Sequence, residues 1–265
     1  PKGLLMHPVL FYIGDAPVQS YYLLWTGALS MAVIFSRRRM TMYYGIADDD
    51  ARRIIMWAFL GMLLGARVGS VYDSWDYFMA DPVRLLRIWE GGLSAVPAFL
   101  GAGLFSLVTA RVLHVPFWKV VDAASLPAAL TVAVGRWGCL LNGCCYGVQT
   151  SVPWAVRLAS DPFSIARHPT QLYYSFGALI IAALLQWVEV RRIGVGSARR
   201  IQGAVLCPLF AVLYSILRLV ADPFRDDYYR AGMQANRLIL PVALLCGLLW
   251  LAWSYYRSTD RARDS

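Results

Sequence analysis

Seven stretches of about twenty predominantly apolar residues recur along the 265-residue chain, at roughly 18–36, 54–72, 92–110, 120–142, 170–189, 203–221 and 236–256. A helix needs about 20 such residues to cross the hydrocarbon core of a bilayer. The 58% share of hydrophobic residues exceeds the roughly one half of an ordinary soluble domain. The expectation is an all-α, polytopic transmembrane helical bundle of about seven spans, with residues 1–265 forming a single integral membrane domain. No repeat, low-complexity tract or long linker interrupts it. Before Tyr21 no basic region precedes a cleavable apolar core, so the first span is expected to act as its own uncleaved address.

Charge orients the bundle. Arg37, Arg38, Arg39, Arg52 and Arg53 flank the first connection, Arg111 and Lys119 the third, Arg191, Arg192, Arg199 and Arg200 the fifth, and Arg257, Arg261 and Arg263 the tail. Basic residues concentrate on cytoplasmic loops, which places the N-terminus outside and the C-terminus in the cytoplasm. The alternate connections carry acids beside fewer bases, as in Asp73, Asp76, Asp81 and Glu90, then Asp222, Asp226 and Asp227. The net charge of +9 therefore reads as topology and attraction to anionic lipid; nothing resembles a nucleic-acid motif. Two outward segments are more than turns. Residues 73–90 interleave aromatic and charged side chains and suit an interfacial element, and residues 143–169 form a small outward head. Gly61, Gly65 and Gly69, four apart, invite close approach of a neighbouring helix.

Arg67, Arg136 and Arg218 stand inside apolar spans. Placing an ionised side chain there costs about 3 kcal/mol or more near the bilayer centre, which makes each a functional-site candidate. All three lie near the outward ends of different spans, so convergence on one anion-binding cavity is expected, and a lipid phosphate matches the guanidinium fork. Each also has a plainer reading, an arginine that snorkels to the interface. Asp222, four residues after Arg218, is read either as its partner or as part of the chemistry. Asp122 reads as a structural polar contact, and Glu189 as a solvated helix end.

The ordered series Gly65-Ala66-Arg67-Val68-Gly69, Trp89-Glu90-Gly91-Gly92-Leu93-Ser94, Gly135-Arg136-Trp137-Gly138, Asn142-Gly143, Arg167-His168-Pro169-Thr170-Gln171-Leu172-Tyr173 and Leu217-Arg218 resembles that of bacterial prolipoprotein diacylglyceryl transferases over nearly the whole chain. The resemblance implies an enzyme of the bacterial cytoplasmic (inner) membrane, with its active site facing outward. Such enzymes move the diacylglyceryl group of phosphatidylglycerol onto the lipobox cysteine thiol in a prolipoprotein signal peptide, form a thioether and release glycerol phosphate. By position, Arg136 and Arg218 match the family's two essential arginines, expected to neutralise the departing phosphate. Tyr22 matches a tyrosine near the lipid site, and Arg67, Asn142 and Asp222 are expected to support the cavity. The resemblance implies no cofactor, and the phospholipid, the acceptor peptide and the bilayer are the expected partners.

Three positions depart from the family pattern. Val96 stands where the family has a histidine proposed to activate the thiol, and Cys139 and Cys144 replace an asparagine and an acidic residue. His168 is the only histidine expected near the outward head, and a histidine's pKa suits thiol deprotonation; it is a candidate catalytic residue, with a packing role as the alternative. Cys139, Cys144 and Cys145 lie near Arg136 in sequence, and a cationic neighbour favours thiolate. One of them is a candidate covalent waystation, against the alternatives of small buried residues or a disulfide. No Cys/His spacing of a structural zinc site occurs, and no metal is assigned. A paralogue using another acceptor, or a non-catalytic protein binding anionic phospholipid, is the competing class.

Overall fold

All seven apolar stretches contain a helix in the computed structural model, which describes residues 8–87, 94–157, 165–193, 204–226 and 239–253. The helices are α1 (Ser20–Met42), α2 (Asp48–Asp73), a short α3 (Trp75–Met79), α4 (Ala95–Val112), α5 (Phe117–Asn142), α6 (Thr170–Ile193) and α7 (Leu206–Ala221), with α8 at Ile239–Trp253. Four spans are long and apolar enough to cross a bilayer, at Asp48–Asp73, Phe117–Asn142, Thr170–Arg191 and Leu206–Phe224; Pro97–Val112 and Ile239–Trp253 are shorter apolar helices. Large side chains such as Phe99, Leu100, Ile180 and Leu249 are exposed on these helices. This is the surface of a membrane bundle, whose solvent is as apolar as leucine.

Two small antiparallel pairs accompany the helices. The apolar run before α1 folds back as a hairpin of β1 (Val9–Ile13) and β2 (Ala16–Gln19), with Ile13 opposite Ala16 and Gly14 at φ 60° starting the two-residue turn. Strands β3 (Val156–Arg157) and β4 (Ala166–Arg167) pair within the segment expected as an outward head. Residues 158–164 of that segment lie outside the described residues.

The chain divides into two compact units, residues 37–123 and residues 1–36 with 124–265. In the first, α2 packs on α4 along the glycine stripe. A Cβ at Gly61 would meet the Gly101 carbonyl and Phe105, one at Gly65 the Pro97 carbonyl, and one at Gly69 the Pro97 ring. The glycines thus do what their spacing predicts, letting two backbones touch. Asp81 caps a 3-10 turn at Pro82–Leu85, and around it Trp75, Tyr77 and Leu86 are exposed while Phe78 is buried. Of residues 73–90, expected as an interfacial element, 88–90, including Trp89 and Glu90, fall outside the described residues. Within α5, Pro127 has no N–H for the carbonyl four residues earlier, and Arg39 Nε donates to that Ala123 carbonyl at 2.9 Å. Arg39, one of the arginines flanking the first connection, is accordingly buried.

In the second unit the core forms where α5, α6 and α7 meet, around Leu126, Ala129, Ile181, Leu185 and Leu206. Ser175 Oγ donates to the Ala133 carbonyl at 2.9 Å, so a buried hydroxyl bridges α6 to α5. Trp25 and Tyr21 of α1 lie against Gly135 and Gly138 of α5, positions where no side chain stands in the way. Trp250 Nε1 of α8 donates to the Ala204 carbonyl at 2.8 Å. Glu189, expected as a solvated helix end, is instead 2% exposed. Burial of a carboxylate demands partners, and no spacing rule along α6 announced it.

Candidate functional site

Tyr174 is fully buried near the start of α6, and arginines surround its ring. The Arg136 guanidinium carbon lies 4.3 Å from the ring centroid, that of Arg218 5.6 Å and that of Arg225 6.0 Å. Arg136 comes from the last turns of α5, Arg218 from the last turn of α7, and Arg225 from the residue capping the 3-10 turn Asp222–Phe224. A desolvated cation on an aromatic face gains about 2 kcal/mol, which partly offsets the cost of holding three guanidinium groups together.

Among the described residues, the Asp222 carboxylate serves this cluster. Arg218 Nε donates to both oxygens of Asp222, at 2.8 and 2.9 Å, and the Tyr174 hydroxyl donates to the same carboxylate. Asp222 is 2% exposed, so it is the buried partner of Arg218, the first of its two sequence readings. Arg136 differs. Among the described residues it has no ion pair or side-chain hydrogen bond, only the Tyr174 face and electrostatic contact with Cys145. Its five donors have no acceptor among the described residues, beside a ring that holds the group in place.

The end of α5 builds the wall beside Arg136. Gly143 at φ 71° sits at the helix C′ position, its N–H bonded to the Leu140 carbonyl at 3.1 Å and that of Cys144 to the Cys139 carbonyl at 3.0 Å, the paired bonds of a Schellman cap. Cys145, also left-handed at φ 59°, turns the chain again. Thr170 Oγ1 and Gln171 Nε2 then donate to the carbonyls of Cys145 and Cys144, both at 2.8 Å. These bonds bring the thiols of Cys139, Cys144 and Cys145 within 4.8 Å of one another. Asn142 hydrogen-bonds the Cys144 thiol. The Cys145 thiol is held below the usual thiol range, first by hydrogen bonds from Cys139 and Cys144 and then by the charges of Arg136 and Arg225.

The remaining candidates have contacts of their own. His168 Nδ1 lies 3.0 Å from the Tyr173 hydroxyl, which also accepts from Trp154 Nε1 at 2.8 Å, and its ring packs on Phe224 with centroids 5.0 Å apart. Its backbone N–H donates to Val148 and its carbonyl accepts from Gly147, so this histidine joins the head segment to the end of α7. Tyr22 is 62% exposed and meets the edge of Tyr21; Tyr21 is the tyrosine within electrostatic reach of the three thiols. Arg67 belongs to the other unit, where it donates to the carbonyls of Leu85 at 3.1 Å, of Arg84 and of Arg87 at 3.3 Å and lies over the Phe78 ring at 4.8 Å. Its donors clamp the turn that follows α3. Val96 lies in the first turn of α4.

Sequence reasoning missed Tyr174 and did not place Arg225 among the site residues. Tyr174 follows the Arg-His-Pro-Thr-Gln-Leu-Tyr string by one residue and looks like any aromatic at a helix start. The signal for Arg225 was present, since it extends the Arg218–Asp222 stripe past Pro223, but its 6% exposure follows from the 3-10 turn and not from helical spacing.

An all-α membrane bundle with arginines clustered on a buried aromatic ring, Arg225 buried and Arg136 and Arg218 half-buried, defines a class of integral membrane proteins that place cationic groups within an apolar structure. Across residues 8–253 the chain matches the prolipoprotein diacylglyceryl transferase family, and it belongs to that family. It is 30% identical over 261 residues to the phosphatidylglycerol–prolipoprotein diacylglyceryl transferase of Nostoc sp., covering 94% of this chain and 90% of that one. It is 29% identical to the Trichormus variabilis protein of that name, with the same coverage, and 28% identical to that of Pasteurella multocida, covering 97% of this chain and 95% of that one.

Proposed function

We propose that this protein is a phosphatidylglycerol–prolipoprotein diacylglyceryl transferase of the bacterial cytoplasmic membrane. It has seven spans, an external N-terminus and the arginine cluster facing outward. Arg136, without a carboxylate partner among the described residues and held over Tyr174, is the observation that carries the reading. It binds the phosphate of phosphatidylglycerol, and Arg218 and Arg225 add positive potential, moderated by Asp222. Asn142 supports the wall beside Arg136. The acceptor cysteine thiolate attacks the glyceryl carbon that bears the phosphate; a C–S bond forms, the C–O bond breaks, and glycerol phosphate leaves with the electron pair. Negative charge grows on the departing oxygen, where a fixed guanidinium stabilises the transition state more than the ground state. Val96 carries no proton acceptor, so any base for the thiol comes from elsewhere in the chain or from solvent. His168 remains a candidate for that role through its second ring nitrogen.

The loss of the family histidine favours one competing reading, a relative that binds phosphatidylglycerol and serves a different acceptor or none. Purified protein given labelled phosphatidylglycerol and a lipobox peptide separates the two. The transferase reading expects the peptide to gain the diacylglyceryl mass only when it carries cysteine and not serine, and expects Arg136→Ala to lower turnover at least about 100-fold, the scale of losing one transition-state donor. Lipid binding by folded wild-type protein without peptide modification would rule it out.

A further inference from the structure

Three cysteine sulfurs meet on one short turn. Cys139 is buried, Cys144 and Cys145 are partly exposed, and their Sγ atoms all lie within 4.8 Å of one another. The convergence is built by the backbone: the Schellman bond from Cys144 N–H to the Cys139 carbonyl, the left-handed residue at Cys145, and the two carbonyls held by Thr170 and Gln171. The Gln171 side chain is fully buried, and its Oε1 has no hydrogen-bond partner among the described residues. An acceptor is thus left open on the amide that grips Cys144.

A tetrahedral ion with ~2.3 Å bonds to sulfur sets its ligands about 3.8 Å apart, so a contraction of at most about 1 Å closes the three sulfurs around a cation. Thiolates select soft cations over hard ones. Three thiolates outweigh the charge of a monovalent or divalent ion, and the excess is offset by Arg136 and Arg225, both electrostatic neighbours of Cys145. We propose that Cys139, Cys144 and Cys145 form a three-thiolate site for a thiophilic d10 cation, zinc or copper(I), at the C-terminal end of α5. The three-ligand count leaves one tetrahedral position to water or an external ligand. A disulfide between any two of the cysteines would remove two ligands at once, so the site requires all three thiols reduced. The assignment shares Arg136 with the proposed phosphate site but does not require transferase activity.

The test is carried out on full-length protein in detergent, purified without a metal-chelating column. Thiol counting on the protein as isolated, with metal analysis, comes first. The reduced, metal-free protein is then titrated with zinc and, separately, copper(I) against competing chelators, and with cadmium followed by thiolate-to-metal absorption. The expected result is one ion per chain for zinc or copper(I), a cadmium band saturating at one equivalent, and binding at least tenfold weaker in Cys139→Ser. The Cys207→Ser/Cys246→Ser variant should bind as the wild type does, and because it leaves the cluster intact it reports even if Cys139→Ser fails to fold. A disulfide within the cluster of the isolated protein would overturn the proposal. So would failure of reduced wild type to bind either zinc or copper(I), or binding lost with Cys207 and Cys246 and kept in folded Cys139→Ser.

Discussion

Arg136 and Arg218 carry the same charge and lie against the same ring, yet they are held differently. Arg218 is paired with a buried carboxylate at 2.8 Å, whereas Arg136 has no ion pair among the described residues and lies on the Tyr174 face. Removing one member of a buried pair strands the other charge and costs about 3–5 kcal/mol. Asp222→Ala is therefore expected to lower the thermal midpoint in detergent strongly, while Arg136→Ala, which breaks no pair, is expected to leave it within a few degrees of wild type. Equal losses in the two variants, measured by thermal unfolding of the purified proteins, would contradict this division of roles. The residue scale was also where the sequence was least legible. Arg136 and Arg218 announced themselves as charges within apolar runs, but their common partner Tyr174 carries no charge, and Arg67 carries the same signal while spending its donors on the carbonyls of Arg84, Leu85 and Arg87.

Helices and their packing follow from periodicity and small residues. The four-residue spacing of Gly61, Gly65 and Gly69 foretold a close helix neighbour, and α4 fills that place with Pro97 and Gly101 at the contact. Gly65→Leu should force α2 and α4 apart and cost about 1–3 kcal/mol or more, as overpacking does; an unchanged unfolding midpoint would show that the contact contributes nothing. At the end of α5, Gly143→Ala places a Cβ on a residue at φ 71° and is expected to destabilise by about 1 kcal/mol. It should also raise the reactivity of the Cys144 thiol toward maleimide, because the turn that holds the three sulfurs loosens. The β1–β2 hairpin escaped the sequence reading because its exposed apolar residues, Leu10 to Ile13, look like the approach to a span. The meeting of all three thiols of Cys139, Cys144 and Cys145 was not legible, because two left-handed positions, Gly143 and Cys145, bring them together and no helical or metal-ligand spacing encodes that turn.

At the scale of the molecule, alternation of basic and mixed connections predicts which ends face outward. In a cysteine-free background, Ala80→Cys, after α3, should react with a membrane-impermeant maleimide added to spheroplasts. Ala47→Cys, before α2, should react only after permeabilisation. The reverse pattern would invert the topology and with it the outward assignment of the arginines. Membrane architecture was legible from composition and run length alone, since a bilayer imposes about 20 residues per helix. Short polar excursions between the spans were not, because Arg225, Asp226 and the β3–β4 pair owe their positions to contacts between distant segments, such as Asp226 N–H with the Tyr146 carbonyl and Arg167 with Asp226 at 3.3 Å.

Arg136 holding the phosphate of an anionic phospholipid is the central interaction proposed for this protein, and a binding measurement tests it without any dependence on turnover. Native mass spectrometry of the purified protein, titrated with phosphatidylglycerol and with zwitterionic phosphatidylcholine, measures it directly. Wild type is expected to retain phosphatidylglycerol in preference to phosphatidylcholine, and folded Arg136→Ala to bind it at least about tenfold more weakly, a loss of about 1.4 kcal/mol. Undiminished phosphatidylglycerol binding by Arg136→Ala, or equal binding of both lipids by wild type, would contradict it.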